Sequence, residues 1–284
     1  MALGVALFSV LNGAVKDLAE TFPVNQIAFF RNFFALAPLL ILTTPGSRTK
    51  VLRTRRFGLH VALAVAFTAS MIMIFLAYSM MPLSDATVIA FSQPLIVILI
   101  AGLWGREKPK SIEWLAVTIG IFGVGIMIQP SGEGNLLGGT LALGGAVFGA
   151  FSMVLQRELS AFDSSWSITF YVLALSSLLL MPTLAVFWTP PTASQWVWLV
   201  GMGIASGFCQ FVTVSAFYHA SASVVAPITY SKIFWAIIIG FLWFGDVPSL
   251  RALLGTGIVL LSAAIAFKAA SDVRSDLPRS DGHQ

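Results

Sequence analysis

Ten apolar segments follow one another along this chain, each close to the length a helix needs to cross a bilayer, with few residues between them. Bounded by charges, Pro, Gly or Ser, they fall at about 2–18, 24–42, 57–80, 84–104 and 111–128, then at about 136–157, 166–187, 195–218, 222–243 and 249–268. A span takes about 20 apolar residues. Two breaks, Ser79 to Leu83 and His219 to Ser221, are short enough to be tight hairpins. No soluble globule accounts for this pattern. With 57% hydrophobic and 10% charged residues in a chain of 284, there is too little polar surface, since a soluble domain carries about 25% charged residues. The expected fold is therefore all-α and integral to a membrane, without room for a sizeable soluble domain. The apolar start, Met1 to Val15, lacks the basic flank of a secretory signal and counts as the first span.

The placement of Lys and Arg tests this reading independently, because cytoplasmic loops retain positive charge. With the N-terminus inside, the inner loops and tail hold Arg48, Lys50, Arg53, Arg55, Arg56, Arg106, Lys108, Lys110, Arg157, Lys268, Arg274 and Arg279. The outer loops keep Lys16 and Arg251, a sixfold bias, while Arg31 and Lys232 fall inside helices. Both termini are expected in the cytoplasm. The same bias accounts for the net charge of +4, so nucleic acid is not an expected partner. Cys209 stands alone in an apolar run and has no disulfide partner. The stretch from Ala269 to Gln284 mixes Asp, Arg, Ser, Gly and Pro and is read as a disordered cytoplasmic tail.

Shifting the chain on itself by 139 residues aligns Ala77 to Pro109 with Ala216 to Pro248 without a gap. Identities include Ser84 with Ser223, Ser92 with Ser231, Trp104 with Trp243 and Pro109 with Pro248, and Glu107 pairs with Asp246. The chain thus divides into two five-helix halves, 1–131 and 132–268, followed by the tail 269–284. An odd number of helices per half gives the halves opposite orientations. Inverted repeats of this kind place a solute site near the midplane between the halves and expose it to each side in turn.

The stretches AYSMMPLSDATVIAFSQPLIVILIAGLWGREKP, LWFGDVP and QIAFFRNFFALAPLL resemble the EamA branch of the drug/metabolite transporter superfamily. The resemblance covers nearly the whole chain in hydropathy and repeat layout, though an N-terminal tail is almost absent here. It implies a ten-helix inner-membrane carrier in which helices 1 to 4 and 6 to 9 surround a central cavity, with helices 5 and 10 at the periphery. Riboflavin importers and S-adenosylmethionine carriers are the subgroups it most suggests.

Arg31, about seven residues into helix 2, lies too deep to face lipid without a cost of several kcal/mol. It either binds an anionic or carbonyl group of a solute or pairs with Asp17 or Glu20 near the membrane boundary. Lys232 sits mid-helix, and its repeat partner is Gln93, each preceded by a Ser. Ser92, Gln93, Ser231 and Lys232 are therefore expected to converge on the cavity, with Trp235 and Tyr230 beside the cation. A structural tie between helices 4 and 9 is the other reading. Pro94 and Pro227 free backbone carbonyls and mark hinges or kinks. Asp85 is read first as the cap of helix 4, with proton coupling as the alternative. Glu107 and Asp246 are read as repeat landmarks. Asn12, Gln210, Tyr171 and Tyr230 are polar tips that serve the cavity or another helix. Glycines 138, 139, 144, 145 and 149, and 120, 123 and 125, suit close helix approach.

No catalytic or metal-binding constellation emerges. The 12 acids are scattered, and the His residues lie far apart at 60, 219 and 283. A membrane-embedded lipid-modifying enzyme would need such groups gathered together. No phosphate-cradling loop follows a strand, so ATP coupling is not expected. The expected function is secondary transport of a neutral or anionic, partly aromatic metabolite, with riboflavin uptake first. S-adenosylmethionine carriage and amino-acid or metabolite export are the alternatives. The expected partners are a small-molecule substrate and membrane lipid, with a homodimer left open and no cofactor or metal.

Overall fold

The structure, a computed structural model, describes residues 2–42, 54, 56–103, 111–128, 136–219, 222–247 and 250–275, with backbone alone for 211–219, 222–230, 266–275 and a few helix-end positions. Among these residues the chain forms ten helices. The first repeat contains α1 (Ala2–Leu18), α2 (Val24–Leu42), α3 (Phe57–Met80), α4 in two pieces, α4a (Leu83–Ala90) and α4b (Gln93–Leu103), and α5 (Ser111–Ile128). The second contains α6 (Leu136–Leu159), α7 (Ser165–Leu180), α8 (Ala193–His219), α9 (Ala222–Phe244) and α10 (Leu250–Ser275). Five of the described stretches, Phe57–Met80 among them, are long and apolar enough to span a membrane, and three shorter apolar helices accompany them.

Boundaries depart from the sequence pattern in three places. The expected single helix 4 breaks at Phe91 and Ser92, where Phe91 N–H turns back to the Thr87 and Val88 carbonyls and Ser92 Oγ donates to the Ile89 carbonyl at 2.7 Å. Pro94 is the cause, because it has no N–H to return to Ala90 and is tolerated only in the first turn of α4b. Helix α7 stops at Leu180 and continues as a 3-10 turn, Met181–Ala185, around Pro182. Helix α10 runs on to Ser275, into the stretch read as tail, while residues from 276 onward lie outside the described residues.

The repeats interleave. The most extensive helix contacts, α3 with α6, α5 with α10, α2 with α8, α1 with α9 and α2 with α7, all join one repeat to the other. Lipid offers no hydrophobic drive between helices, so close approach and backbone-directed hydrogen bonds do this work. On α6, a Cβ at Gly145 would lie 2.5 Å from Ile74, and Ser70 of α3 donates to the Gly145 carbonyl at 2.7 Å. On α8, Gly203 and Gly207 let that helix meet the carbonyls of Phe30, Arg31 and Ala35 on α2. Helices α5 and α10 cross at Gly123 and Gly255, where Ser262 Oγ donates to the Ala116 carbonyl at 2.6 Å. Gly125, by contrast, faces open space.

Each end of the bundle carries its own ties between repeats. At one end Lys16 donates to Asp246 at 2.7 Å, and Leu83 N–H reaches the same carboxylate at 3.4 Å. The buried Gln26 side chain there clasps the Thr189 backbone by two hydrogen bonds of 2.8 and 2.9 Å. At the other end His60 meets Asp163 at 2.9 Å.

Candidate functional site

A cavity of about 310 Å³ lies between the repeats. Residues of α1, α2, α3, α4b, α6, α7 and α8 line it, and among the described residues none comes from α5 or α10, nor from α9, which the resemblance places around the cavity. Its wall mixes aromatic faces with short polar tips. Phe8 and Asn12, one turn apart on α1, share a face. Arg31 and Asn32 come from α2, Ser70, Phe75 and Tyr78 from α3, Gln93 from α4b, Thr169 from α7, and Ser206 and Gln210 from α8. The Asn32 amide nitrogen is buried with no partner among the described residues.

Arg31 is held rather than paired. Its Nε donates to Ser206 Oγ at 3.1 Å, and its guanidinium carbon stands 5.3 Å from the Phe8 ring centre and 5.2 Å from that of Phe75. Lys232 reaches the same Phe8 ring from α9, with Nζ at 4.6 Å. Two cations thus share one aromatic ring beside the cavity. Among the described residues no carboxylate pairs with either. The acids among the described residues, Asp17, Glu20, Asp85, Glu113, Glu158, Asp163, Asp246 and Asp272, all fall in turns or within the first or last turn of a helix. Cation–π contacts offset part of the cost of burying these charges. Full compensation needs an anion or a strong acceptor, and no described carboxylate supplies it.

Gln93 occupies the wall opposite Gly149, where a Cβ would lie 2.9 Å from its amide carbon and 3.0 Å from Ser70 Oγ. The missing side chain at 149 makes the space for Gln93. Of the residues that the sequence singled out, Arg31 and Gln93 line the cavity, and Lys232 adjoins it through Phe8. Ser92 turns the other way, toward an apolar groove between α4b, α5 and α6. Trp235 packs edge-on to Phe234 and against the core, not in the cavity wall. Ser231 is also absent from that wall and has an interaction of its own. The side chains of Tyr230 and Pro227 lie outside the described residues, as does Glu107.

Asp85 does not cap helix 4. It sits in the first turn of α4a with Ser84 Oγ donating to it at 3.1 Å, while the Leu83 N–H goes to Asp246. Asp246, read from sequence as a landmark, therefore binds both Lys16 and a helix N-terminus, which favours an anion. Of the polar tips, Asn12 and Gln210 serve the cavity, whereas Tyr171 packs on His60 with ring centres 4.6 Å apart. Sequence reasoning missed Phe8, Asn32, Tyr78 and Ser206. For Ser206 a signal existed, since it stands within Gly203-x-x-x-Gly207, a close-packing pattern that faces the helix bearing Arg31.

The pattern described as the EamA-like transporter family matches residues 1–129 and again 136–268. The chain belongs to this family. Curated relatives include the pseudopaline exporter of Pseudomonas aeruginosa strain UCBPP-PA14, 30% identical over 91% of each chain. The riboflavin transporter of Vibrio cholerae is 30% identical over 90% of this chain and 88% of its own. The S-adenosylmethionine uptake transporter of Rickettsia bellii is 24% identical over 92% and 91%. One crystal structure of a protein superposes with a TM-score of 0.65 over 95% of this chain and 96% of its own, at 17% identity, and shows the fold alone. The EamA chain described here is thus a multi-pass membrane transporter built as two inverted repeats of five helices.

Proposed function

We propose that this transporter is a secondary carrier, without enzymatic activity, for a small metabolite that presents a carboxylate, another anionic group or polarised carbonyls beside a planar ring. It works by alternating access in a bacterial inner membrane, with both termini in the cytoplasm. One observation carries the reading: Arg31 and Lys232 share the Phe8 ring at the cavity, and among the described residues no carboxylate pairs with either. The cargo itself then supplies the missing acceptor. The lining amides Asn12, Asn32, Gln93 and Gln210 suit further polar edges, and Phe75 and Tyr78 suit a ring.

Riboflavin uptake is the first specific form of this reading, since the isoalloxazine ring is planar, apolar-faced and rich in carbonyl edges. A sulfonium such as that of S-adenosylmethionine meets two cations and fits less well. Export of a carboxylate-bearing metabolite is the second form, favoured by the same two cations. Relatives of equal identity are named for an exporter and for a riboflavin transporter, so identity alone does not choose. Counterflow of labelled riboflavin into proteoliposomes preloaded with unlabelled solute tests the first form. Accumulation that excess anionic metabolite does not abolish supports riboflavin. Absence of riboflavin counterflow, with exchange of a labelled carboxylate instead, moves the assignment to the second form.

A further inference from the structure

The cavity wall changes character along the bundle. Arg31, Phe8 and Phe75 meet at one part of it, where the two cations stand. Five residues back along α3 from Phe75, about 7.5 Å at about 1.5 Å per residue, the wall carries Ser70. A Cβ on Gly149 of α6 would come 3.0 Å from Ser70 Oγ, and Ser152 stands one turn further along the same face of α6. Thr169 joins this stretch from α7, and Asn32 from α2. All four side chains are buried, and none is charged.

The hydrogen bonds already made leave a definite remainder. Ser70 Oγ donates its proton to the Gly145 carbonyl at 2.7 Å, and Thr169 Oγ1 donates its own to the Ser165 carbonyl at 2.8 Å. A hydroxyl has a single proton, so both offer only lone pairs to the cavity. The Asn32 amide nitrogen is the converse, a buried donor without an acceptor among the described residues. Buried polar groups of this kind find their partner in protein, water or ligand. A carboxylate brings no proton for Ser70 or Thr169. An ammonium group brings no lone pair for Asn32 and is repelled by Arg31 next to it. A hydroxyl donates and accepts from one oxygen and satisfies both kinds of group.

We propose that Asn32, Ser70, Ser152 and Thr169 form a second subsite, which takes an uncharged, hydroxylated part of the cargo such as a polyol chain or a sugar. The cargo is then bipartite. Its anionic or carbonyl-bearing ring lies at Arg31, Lys232 and Phe8, and its hydroxyls point toward α6 and α7. Phe67 and Val172 in the same wall cover the C–H faces of such a group. The subsite rests on the role proposed above for the two cations.

Two probes separate the subsites. The para-carboxyphenyl β-D-glucoside and para-cyclohexyloxybenzoate share a benzoate joined through oxygen to a saturated ring, and differ in the hydroxyls that ring bears. Isothermal titration calorimetry of the purified full chain measures both, for wild type, Thr169→Val, Ser152→Ala and Arg31→Met, with a thermal melt of each preparation. Thr169→Val and Ser152→Ala should each weaken the glucoside about fivefold, the loss of one neutral hydrogen bond, and leave the cyclohexyl ether unchanged. A selective loss in either variant suffices if the other fails to fold. Arg31→Met should weaken both probes alike. If it weakens neither while Thr169→Val still singles out the glucoside, the role of Arg31 falls and the hydroxyl subsite stands. Equal losses for the two probes in Thr169→Val and Ser152→Ala, no loss for either probe, or no binding of the glucoside to wild type overturns the subsite.

Discussion

Replacing Arg31 by Met separates binding from folding, because the two effects carry opposite signs. The substitution removes one hydrogen bond, to Ser206 at 3.1 Å, and two ring contacts at 5.2 and 5.3 Å. At about 1 kcal/mol for the bond and about 1 kcal/mol for each ring contact, the loss is about 3 kcal/mol. Against this stands release from burying a cation without an anion, which costs several kcal/mol. The Arg31→Met protein should therefore melt at the wild-type temperature or above it in detergent. Transport should move the other way. A charge-assisted hydrogen bond to the cargo contributes about 1.5–3 kcal/mol, and at about 1.4 kcal/mol per decade its loss raises the half-saturating cargo concentration about 10- to 100-fold. Differential scanning fluorimetry and proteoliposome counterflow on the same preparation read both quantities. A melting temperature lowered by more than about 5 °C, corresponding to about 2 kcal/mol or more for a chain of this size, together with unchanged half-saturation, would make Arg31 a structural residue and refute the reasoning.

Gly149→Ala places a methyl 2.9 Å from the Gln93 amide and 3.0 Å from Ser70 Oγ; because Gln93 can swing into the cavity, cargo affinity should fall about tenfold with a stability cost of about 1 kcal/mol, as counterflow and thermal melting would show. Asp246→Asn keeps an acceptor for Leu83 N–H but loses the ion pair to Lys16, so it should cost about 1 kcal/mol, whereas Asp246→Ala also loses the cap and should cost about 2 kcal/mol; equal melting temperatures for the two would contradict the capping role. Gly203→Val sets a branched side chain against the Phe30 carbonyl and Phe34, and should cost about 3 kcal/mol, seen as loss of a monodisperse peak in size-exclusion chromatography.

Much of the architecture was legible in the residues because hydropathy and charge act on whole segments. All ten expected spans begin within two residues of a helix start, and the 139-residue repeat recurs as the starts of α4a at Leu83 and α9 at Ala222. The break in helix 4 was only half legible. Pro94 marked it, but the turn back at Phe91 and Ser92 depends on which carbonyls neighbouring helices leave free. The cavity was legible where a residue was conspicuous, as with Arg31 and Gln93, and illegible where it was ordinary. Phe8 is one of 23 phenylalanines, and nothing in an all-apolar helix distinguishes a lipid-facing ring from one that carries two cations. Ser92 and Trp235 show the reverse error. Ser92 sits in the break between α4a and α4b, so helical spacing does not carry it to the face of Gln93, and Trp235, three residues on from Lys232, packs against the core although positions i and i+3 neighbour one another on a helix. The roles of Asp246, His60 and Asp163 arise from contacts between repeats, which no local pattern encodes.

The central claim is that the cavity selects its cargo by negative charge or strong acceptor groups. The most direct test is isothermal titration calorimetry of the purified wild-type protein with three solutes sharing one planar ring, bearing a carboxylate, a primary amide or an amine. The account predicts the tightest binding for the carboxylate, weaker binding for the amide and none for the amine. An amine that binds as tightly as the carboxylate would contradict it.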